Sequence, residues 1–90
     1  MEGKCELCER TEILYFHHLI PKTLHNNKLF KKMYDHKYMS THGLMLCREC
    51  HKNIHVFYTE KELGKNYHTK ELLLSSEKIR NFLTWMKKQD

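Results

Sequence analysis

The four cysteines of the chain form two C-x-x-C pairs, Cys5 with Cys8 and Cys47 with Cys50. Each pair forms a tight turn that presents two thiolates at the separation that a tetrahedral zinc ion requires. Four sulfur ligands leave no coordination position open, so the pattern predicts a closed, structural zinc site. A thiol redox pair and unrelated buried cysteines are the other interpretations of the same residues.

A chain of 90 residues has a small core, and a metal cross-link would add the stability that such a core lacks. The long gap between Cys8 and Cys47 is no obstacle to this zinc site. Each doubling of a loop costs only about 0.6 kcal/mol, whereas zinc binding contributes roughly 10–16 kcal/mol.

The distribution of apolar residues indicates whether the chain crosses a membrane or is secreted. The uninterrupted apolar runs, residues 72–74 among them, are too short to cross a bilayer. The first residues contain no basic segment followed by an apolar one, which predicts the absence of a secretory signal. We therefore expect a cytoplasmic protein with no membrane partner, in which reduced thiols bind zinc rather than form disulfides.

Three histidines are placed to share a second ion. The β-forming residues 13–16 lead into the doublet His17-His18, which predicts that the doublet ends a short strand. His51 and His55 are four residues apart, on one face of a helix predicted from residue 48 to about residue 58. Three nitrogen ligands leave positions for water or a phosphate oxygen, which is typical of a catalytic site. Taken singly, each is also consistent with an ordinary surface histidine.

The remaining pattern predicts short elements around these residues. Pro21 ends the first strand, and residues 43–46 predict a second strand that returns the chain to Cys47. Residues 26–35 have helical composition.

The C-terminal third is predicted to be helical. Thr59 and Glu62 fit a capping box that begins a helix, and Gly64 is predicted to end it. Ser76 can cap a last helix. Its apolar residues recur at helical spacing and are interpreted as packing material: Ile79, Phe82, Leu83 and Met86.

The basic excess is local. The formal net charge is +5, and residues 22–37 contain several lysines but only one acidic residue, Asp35. One interpretation is a solvated helix face, and the other is a surface that follows phosphates. Tyr34 and Tyr38 lie among these lysines, where they could stack on bases or pack half-buried.

The order of these elements resembles the HNH endonucleases. Their ββα-metal motif is a strand ending in a histidine doublet, a loop, a second strand and a metal-binding helix, and many members carry two C-x-x-C pairs. The matching segments are residues 17–21, residues 44–51 and the pair His51-x3-His55. The resemblance spans residues 5–55 and implies an α+β fold with a small ββα-metal (His-Me finger) core stapled by a four-cysteine zinc site and followed by extra C-terminal helices.

The resemblance also implies roles for single residues. His18 corresponds to the general base, and His17, His51 and His55 correspond to the ligands of the catalytic ion. The family has an asparagine nine residues before the first histidine of the H-x3-H pair, and His42 stands there instead. His42 is placed with His18 among the catalytic positions, where it could donate a similar hydrogen bond, bind the ion or titrate.

The resulting expectation is one HNH nuclease domain over residues 1–90, with the motif at 5–58 and a helical extension at 59–90. It would hydrolyse phosphodiester bonds in DNA, by nicking or cleaving, to give 5′-phosphate and 3′-hydroxyl ends. The expected cofactors are a structural Zn²⁺ and one catalytic divalent ion. An all-imidazole set suits Mn²⁺, Ni²⁺, Co²⁺ or Zn²⁺ better than Mg²⁺.

The expected partner is a nucleic acid, and DNA rather than RNA is favoured. The basic side chains expected to contact it are Lys22, Lys28, Lys31, Lys32, Lys37, Arg48 and Lys52. The alternatives are a non-catalytic zinc-ribbon module that binds nucleic acid or protein, and a purely structural protein. The sequence does not decide between DNA and RNA, between duplex and single strand, or between a nick and a double-strand cut, and it leaves sequence preference and oligomeric state open.

Overall fold

The computed structural model describes residues 2–88 and has an α+β fold with a three-stranded antiparallel sheet. The strands follow one another in the sheet in chain order: β1 (Glu2–Lys4), β2 (Thr11–His18) and β3 (Gly43–Cys47). A 3-10 turn at Lys22–Leu24 follows β2. The α-helices of the described part are α1 (Lys28–Met33), α2 (His36–Thr41), α3 (Arg48–Phe57), α4 (Glu60–Asn66), α5 (Lys70–Ser75) and α6 (Glu77–Lys87).

Strand β1, which the sequence pattern does not predict, forms a hairpin with β2 around the first cysteine pair. Glu2 faces Ile13 in this hairpin. The turn closes through a hydrogen bond of 2.9 Å from the Cys5 amide to the Arg10 carbonyl. Glu9 has a φ of 67°, in the left-handed region, which lets the chain reverse directly after Cys8.

The two strands predicted from the sequence are confirmed, and they pair with each other. His17 faces Leu44 and His18 faces Gly43, so the histidine doublet lies at the end of the sheet. A Cβ atom on Gly43 would overlap the carbonyl oxygen of His17 and the ring of Phe16. Only glycine therefore fits opposite the doublet.

Helix α3 begins at Arg48, as predicted, directly after Cys47 ends β3. The helix packs across β2 and β3, and its own residues Cys50 and Ile54 are buried in this interface. His51 and His55 lie on the neighbouring arc, at the border between core and solvent.

The prediction of one helical segment over residues 26–35 is wrong in its extent. Asn27 caps α1 by accepting a hydrogen bond of 2.9 Å from the Leu29 amide. Tyr34 is extended and ends this helix, and Asp35 caps α2 by accepting one of 2.6 Å from the Tyr38 amide. Two N-caps eight residues apart therefore produce two short helices.

The capping box at Thr59 and Glu62 is confirmed, but the prediction that Gly64 ends the helix is wrong. Helix α4 continues to Asn66, with Gly64 buried inside it. A Cβ atom on Gly64 would overlap the side chain of Leu24. The glycine thus serves close packing between α4 and the segment that follows β2, rather than helix termination.

The C-terminal helices complete the core. Ser76 caps α6 as predicted, and Ile79, Leu83 and Met86 are buried in the same cluster as the cysteines. Helix α5 is not predicted by the pattern. Between residues 2 and 88, no helix combines the length and apolar character that a membrane crossing requires.

Candidate metal sites

The four cysteines converge into one buried cluster. Their sulfur atoms lie within 4.8 Å of one another, and all four are free thiols. The Sγ atoms of Cys8 and Cys47 are 3.7 Å apart. Zn–S bonds of about 2.3 Å in a tetrahedron place the sulfurs about 3.8 Å apart, so the spacing fits a zinc ion.

The four thiols of the cluster do not ionise independently. Burial raises the pKa of the Cys8 thiol to about 11. The hydrogen bond from the Cys50 thiol lowers the pKa of Cys5 to about 4, and the same bond raises the pKa of Cys50. Four buried thiolates would repel one another, so all four ionise together only around a cation. The cluster is therefore consistent with structural zinc binding, as predicted.

Three histidines, one near the end of β2 and two on α3, form a second cluster. Ligand atoms of His17, His51 and His55 lie within 4.8 Å of one another. Their ring centroids are 5.3 Å apart for His17 and His51, 5.4 Å for His17 and His55, and 4.9 Å for His51 and His55. The three predicted ligands are thus brought together from a strand end and one helix face.

The His17 side chain is the most constrained of the three. It is 1% exposed, and neither of its ring nitrogens has a hydrogen-bond partner among the described residues. An unsatisfied buried polar group costs about 1–3 kcal/mol. A divalent ion would give one of these nitrogens the partner that the protein does not.

The charge state of this cluster suits metal binding. Burial, followed by the neighbouring His51 and His55, lowers the pKa of His17 from 6.5 to about 3. Burial, followed by His55, also lowers the pKa of His51. Neutral imidazole is the form that binds metal ions, so these residues fit a divalent cation at neutral pH.

A cavity of about 220 Å³ opens beside the histidine cluster. His18 lines it together with the three clustered histidines, and Lys22 and Glu60 also contribute to its wall. Burial lowers the pKa of His18, with smaller contributions from the charges of His25 and Lys22. The predicted base therefore faces the same space as the predicted ligands.

His42 lies elsewhere. Its Nε2 atom donates a hydrogen bond of 2.8 Å to the carbonyl oxygen of His68, and its ring stacks on Tyr38 at 4.6 Å. Its backbone is bonded to the segment after His18, because the His42 carbonyl accepts a hydrogen bond of 3.1 Å from the Leu19 amide. The His42 ring does not line the cavity. A catalytic role for the His42 side chain therefore has no support from this geometry and stays a prediction.

The predicted nucleic-acid contacts are spread over the surface. Lys22 is at the cavity, and Lys52 is exposed on α3, the helix that carries two of the clustered histidines. Arg48 lines a different depression, next to Ile13 and Tyr15. The other lysines are exposed on α1 and α2: Lys28, Lys31, Lys32 and Lys37.

Tyr34 and Tyr38 stack on each other with ring centroids 5.3 Å apart. Tyr34 also stacks on Phe30 at 6.4 Å, so the aromatic rings of α1 and α2 form a column. Tyr34 is half-buried, as the packing interpretation expects, whereas Tyr38 is exposed.

Two residues near the cavity are missing from the sequence-based prediction. Glu60 accepts a hydrogen bond of 2.5 Å from the Thr23 hydroxyl, and the capping box is the only signal that places it at a helix start. His25 is buried, and its Nε2 atom lies 2.8 Å from the carbonyl oxygen of Ile20. No sequence signal identifies it, because its partner is a backbone atom.

Fold and sites define a small α+β protein with a buried four-cysteine cluster and a separate three-histidine cluster. The chain belongs to the same family as the Uncharacterized protein YisB of Bacillus subtilis (strain 168). The two are 35% identical over 88 residues, which are 97% of this chain and 76% of the relative. No family model matches the chain, and no solved structure matches it.

Proposed function

We propose that the protein is a metal-dependent HNH-type endonuclease that hydrolyses phosphodiester bonds in DNA and leaves 5′-phosphate and 3′-hydroxyl ends. The observation that carries the proposal is the convergence of His17, His51 and His55 beside a cavity that His18 also faces. The order β2, β3, α3 supports a ββα-metal core, because it delivers the histidine doublet and the helical pair to one place.

Each residue has a role in this proposal. His17, His51 and His55 would hold a divalent ion, which would supply positive charge near the phosphorane and the departing 3′-oxygen. His18 takes a proton from a water molecule, whose oxygen forms the new bond to phosphorus in line with the bond to the 3′-oxygen that breaks. The departing 3′-oxygen takes a proton from solvent and becomes the 3′-hydroxyl. The lowered pKa of His18 keeps its imidazole neutral and able to accept this proton. Lys22, at the cavity wall, attracts the substrate phosphate.

The test is a cleavage assay on supercoiled plasmid with Mn²⁺, Ni²⁺, Co²⁺, Zn²⁺ and Mg²⁺ in turn. The wild type is expected to nick with at least one transition metal, and His18→Ala to lose about 100-fold or more of the rate. His68→Ala is the matched control, since it removes a histidine ring that does not line the cavity. A wild type that is inactive with every metal would overturn the proposed nuclease function. An undiminished nicking rate in His18→Ala would overturn the role of His18 as the base.

A non-catalytic zinc module is the second candidate, and the position of the His42 ring favours it. This ring bonds the His68 carbonyl and does not reach the cavity. Metal counting separates the two functions. One tightly held zinc alone favours the binding module, and an additional weaker site that requires His51 favours the nuclease.

A further inference from the structure

His25 is a buried histidine that the proposed mechanism does not use. It is 5% exposed, and its ring centroid lies 5.6 Å from that of His18 and 6.1 Å from that of His36. Its Nε2 atom is 2.8 Å from the carbonyl oxygen of Ile20. A carbonyl oxygen can only accept, so Nε2 must carry the proton, and this fixes the tautomer and direction of the ring.

The Ile20 carbonyl belongs to the segment that directly follows His18. Ile20 is fully buried, and a carbonyl without a partner at that depth would cost about 1–3 kcal/mol. Pro21, the next residue, has no amide hydrogen that could help to fix this part of the chain. The side chain of His25 therefore supplies the bond that holds the backbone two residues after His18.

The His18 ring itself has few restraints. Among the described residues no group forms a hydrogen bond with it, and its ring neighbours are Phe16 at 4.8 Å and His25 at 5.6 Å. Phe16 lies on β2 with His18, whereas His25 reaches it from the following segment. The direction of the His18 ring thus depends on where that segment places His25.

The same segment is fastened to α4 on its other side. The Thr23 hydroxyl donates a hydrogen bond of 2.5 Å to Glu60, and Leu24 packs directly on Gly64. These two contacts connect the segment to α4. The position of His25 is consequently set by contacts with α4 that do not involve His18, and its ring can restrict the orientation of the His18 ring.

We propose that His25 is a positioning residue that aims the His18 imidazole into the cavity, through its hydrogen bond to Ile20 and its ring contact with His18. The activity part of this inference rests on the proposed nuclease function, while the positioning part does not.

Three variants of the zinc-loaded protein test the inference. In His25→Gln the amide nitrogen occupies the place of Nε2 and can still donate to Ile20. His25→Leu keeps a similar volume without a donor, and in His25→Asn the amide is too short to reach. Zinc content and thermal unfolding show which variants are folded.

The activity readout is the plasmid-nicking rate with the best metal. His25→Leu and His25→Asn are expected to lower kcat about 10- to 100-fold with KM within about twofold, because a small displacement of a catalytic group has effects of this size. His25→Gln is expected to stay within about threefold of the wild type. Equal losses in the Gln and Leu variants would overturn the positioning role.

The second readout is the nitrogen-detected NMR spectrum of the imidazole rings, which needs no activity. The wild type is expected to show His25 protonated at Nε2, and the His18 signals are expected to move in the Leu and Asn variants but not in the Gln variant. Unmoved His18 signals in all folded variants would overturn the inference. Inactive wild-type protein with the expected shifts would overturn the nuclease alone.

Discussion

Cys50 and His51 are consecutive residues of α3, yet their side chains belong to different clusters. Successive residues of a helix are rotated by about 100°, which directs the thiol into the core and the imidazole to its border. The helix thus couples the two sites mechanically. An ion that fixes Cys50 also fixes the orientation of the helix that carries His51 and His55.

Loss of one thiolate should therefore remove the zinc and the fold together. Cys50→Ser is expected to purify without zinc and without a cooperative thermal transition, because zinc binding contributes roughly 10–16 kcal/mol in such sites. Metal analysis and circular dichroism measure both effects. His55→Ala serves as the control and is expected to retain its zinc; a folded, zinc-free Cys50→Ser protein would contradict the structural role.

The histidine cluster should bind a second ion more weakly. In zinc-loaded protein, His55→Ala is expected to reduce the affinity for added Co²⁺ or Mn²⁺ by at least about tenfold, since it deletes one of three ligands. Titration calorimetry measures the affinity. His36→Ala removes an exposed histidine outside the cluster and should leave it unchanged. Equal affinities for both variants would exclude His55 as a ligand.

Gly43 should tolerate no side chain. Gly43→Ala is expected to lower the free energy of unfolding by about 1–3 kcal/mol, because the new methyl group overlaps the His17 carbonyl and the Phe16 ring. Urea denaturation measures the change. Gly3→Ala is the matched control, since its Cβ would meet only the Leu14 side chain at 3.1 Å. Similar losses in both variants would mean that strand propensity, rather than this overlap, is responsible.

Much of the candidate site could be predicted from sequence because its signals are local. Cys5-x-x-Cys8 and the spacing of His51 and His55 identify ligand pairs without knowledge of the fold. The strand that ends at His18 follows from a run of β-formers. Such patterns report on neighbours in the chain, which is why they can be read without a structure.

The remaining features depend on interactions between distant residues. His25 acts on a backbone carbonyl, and Gly64 is placed by the Leu24 side chain across the fold. Glycine at a helix end and glycine under a neighbouring side chain look alike in sequence. The wrong prediction for Gly64 and the omission of His25 therefore have the same origin.

Stability should depend on pH through His17. Its pKa is about 3 in the folded protein against an ordinary value of 6.5, so between these values the unfolded chain binds a proton that the folded chain does not. The contribution of neutral His17 to the free energy of unfolding is therefore complete above pH 6.5. It is lost as the pH falls towards 3, at up to about 1.4 kcal/mol per pH unit.

The measurement is urea denaturation of zinc-loaded protein between about pH 5 and pH 7, without other divalent ions. His17→Leu is expected to show a shallower pH dependence than the wild type, since it lacks the group that the unfolded chain protonates. Parallel pH profiles for the two proteins would show that His17 is not held neutral by burial.

Binding to DNA should weaken with salt because of the lysines on α1. The double variant Lys31→Gln, Lys32→Gln is expected to reduce the slope of log Kd against log salt concentration by up to about 0.9 for each phosphate that is no longer neutralised. Fluorescence anisotropy with a labelled duplex measures the slope. Lys78→Gln, Lys87→Gln makes the same charge change on α6 and should preserve it. Identical slopes for the wild type and the α1 variant would exclude Lys31 and Lys32 as phosphate contacts.

Both clusters take ligands from the first hairpin and from α3, as Cys5, His17 and His55 illustrate. Neither can be completed until the chain through α3 has left the ribosome, at a synthesis rate of about 5–20 residues per second. A nascent chain that ends before β3 offers only two of four thiols and one of three imidazoles. Under the proposed function, a chain that ends before β3 would therefore lack a complete ligand set for either ion.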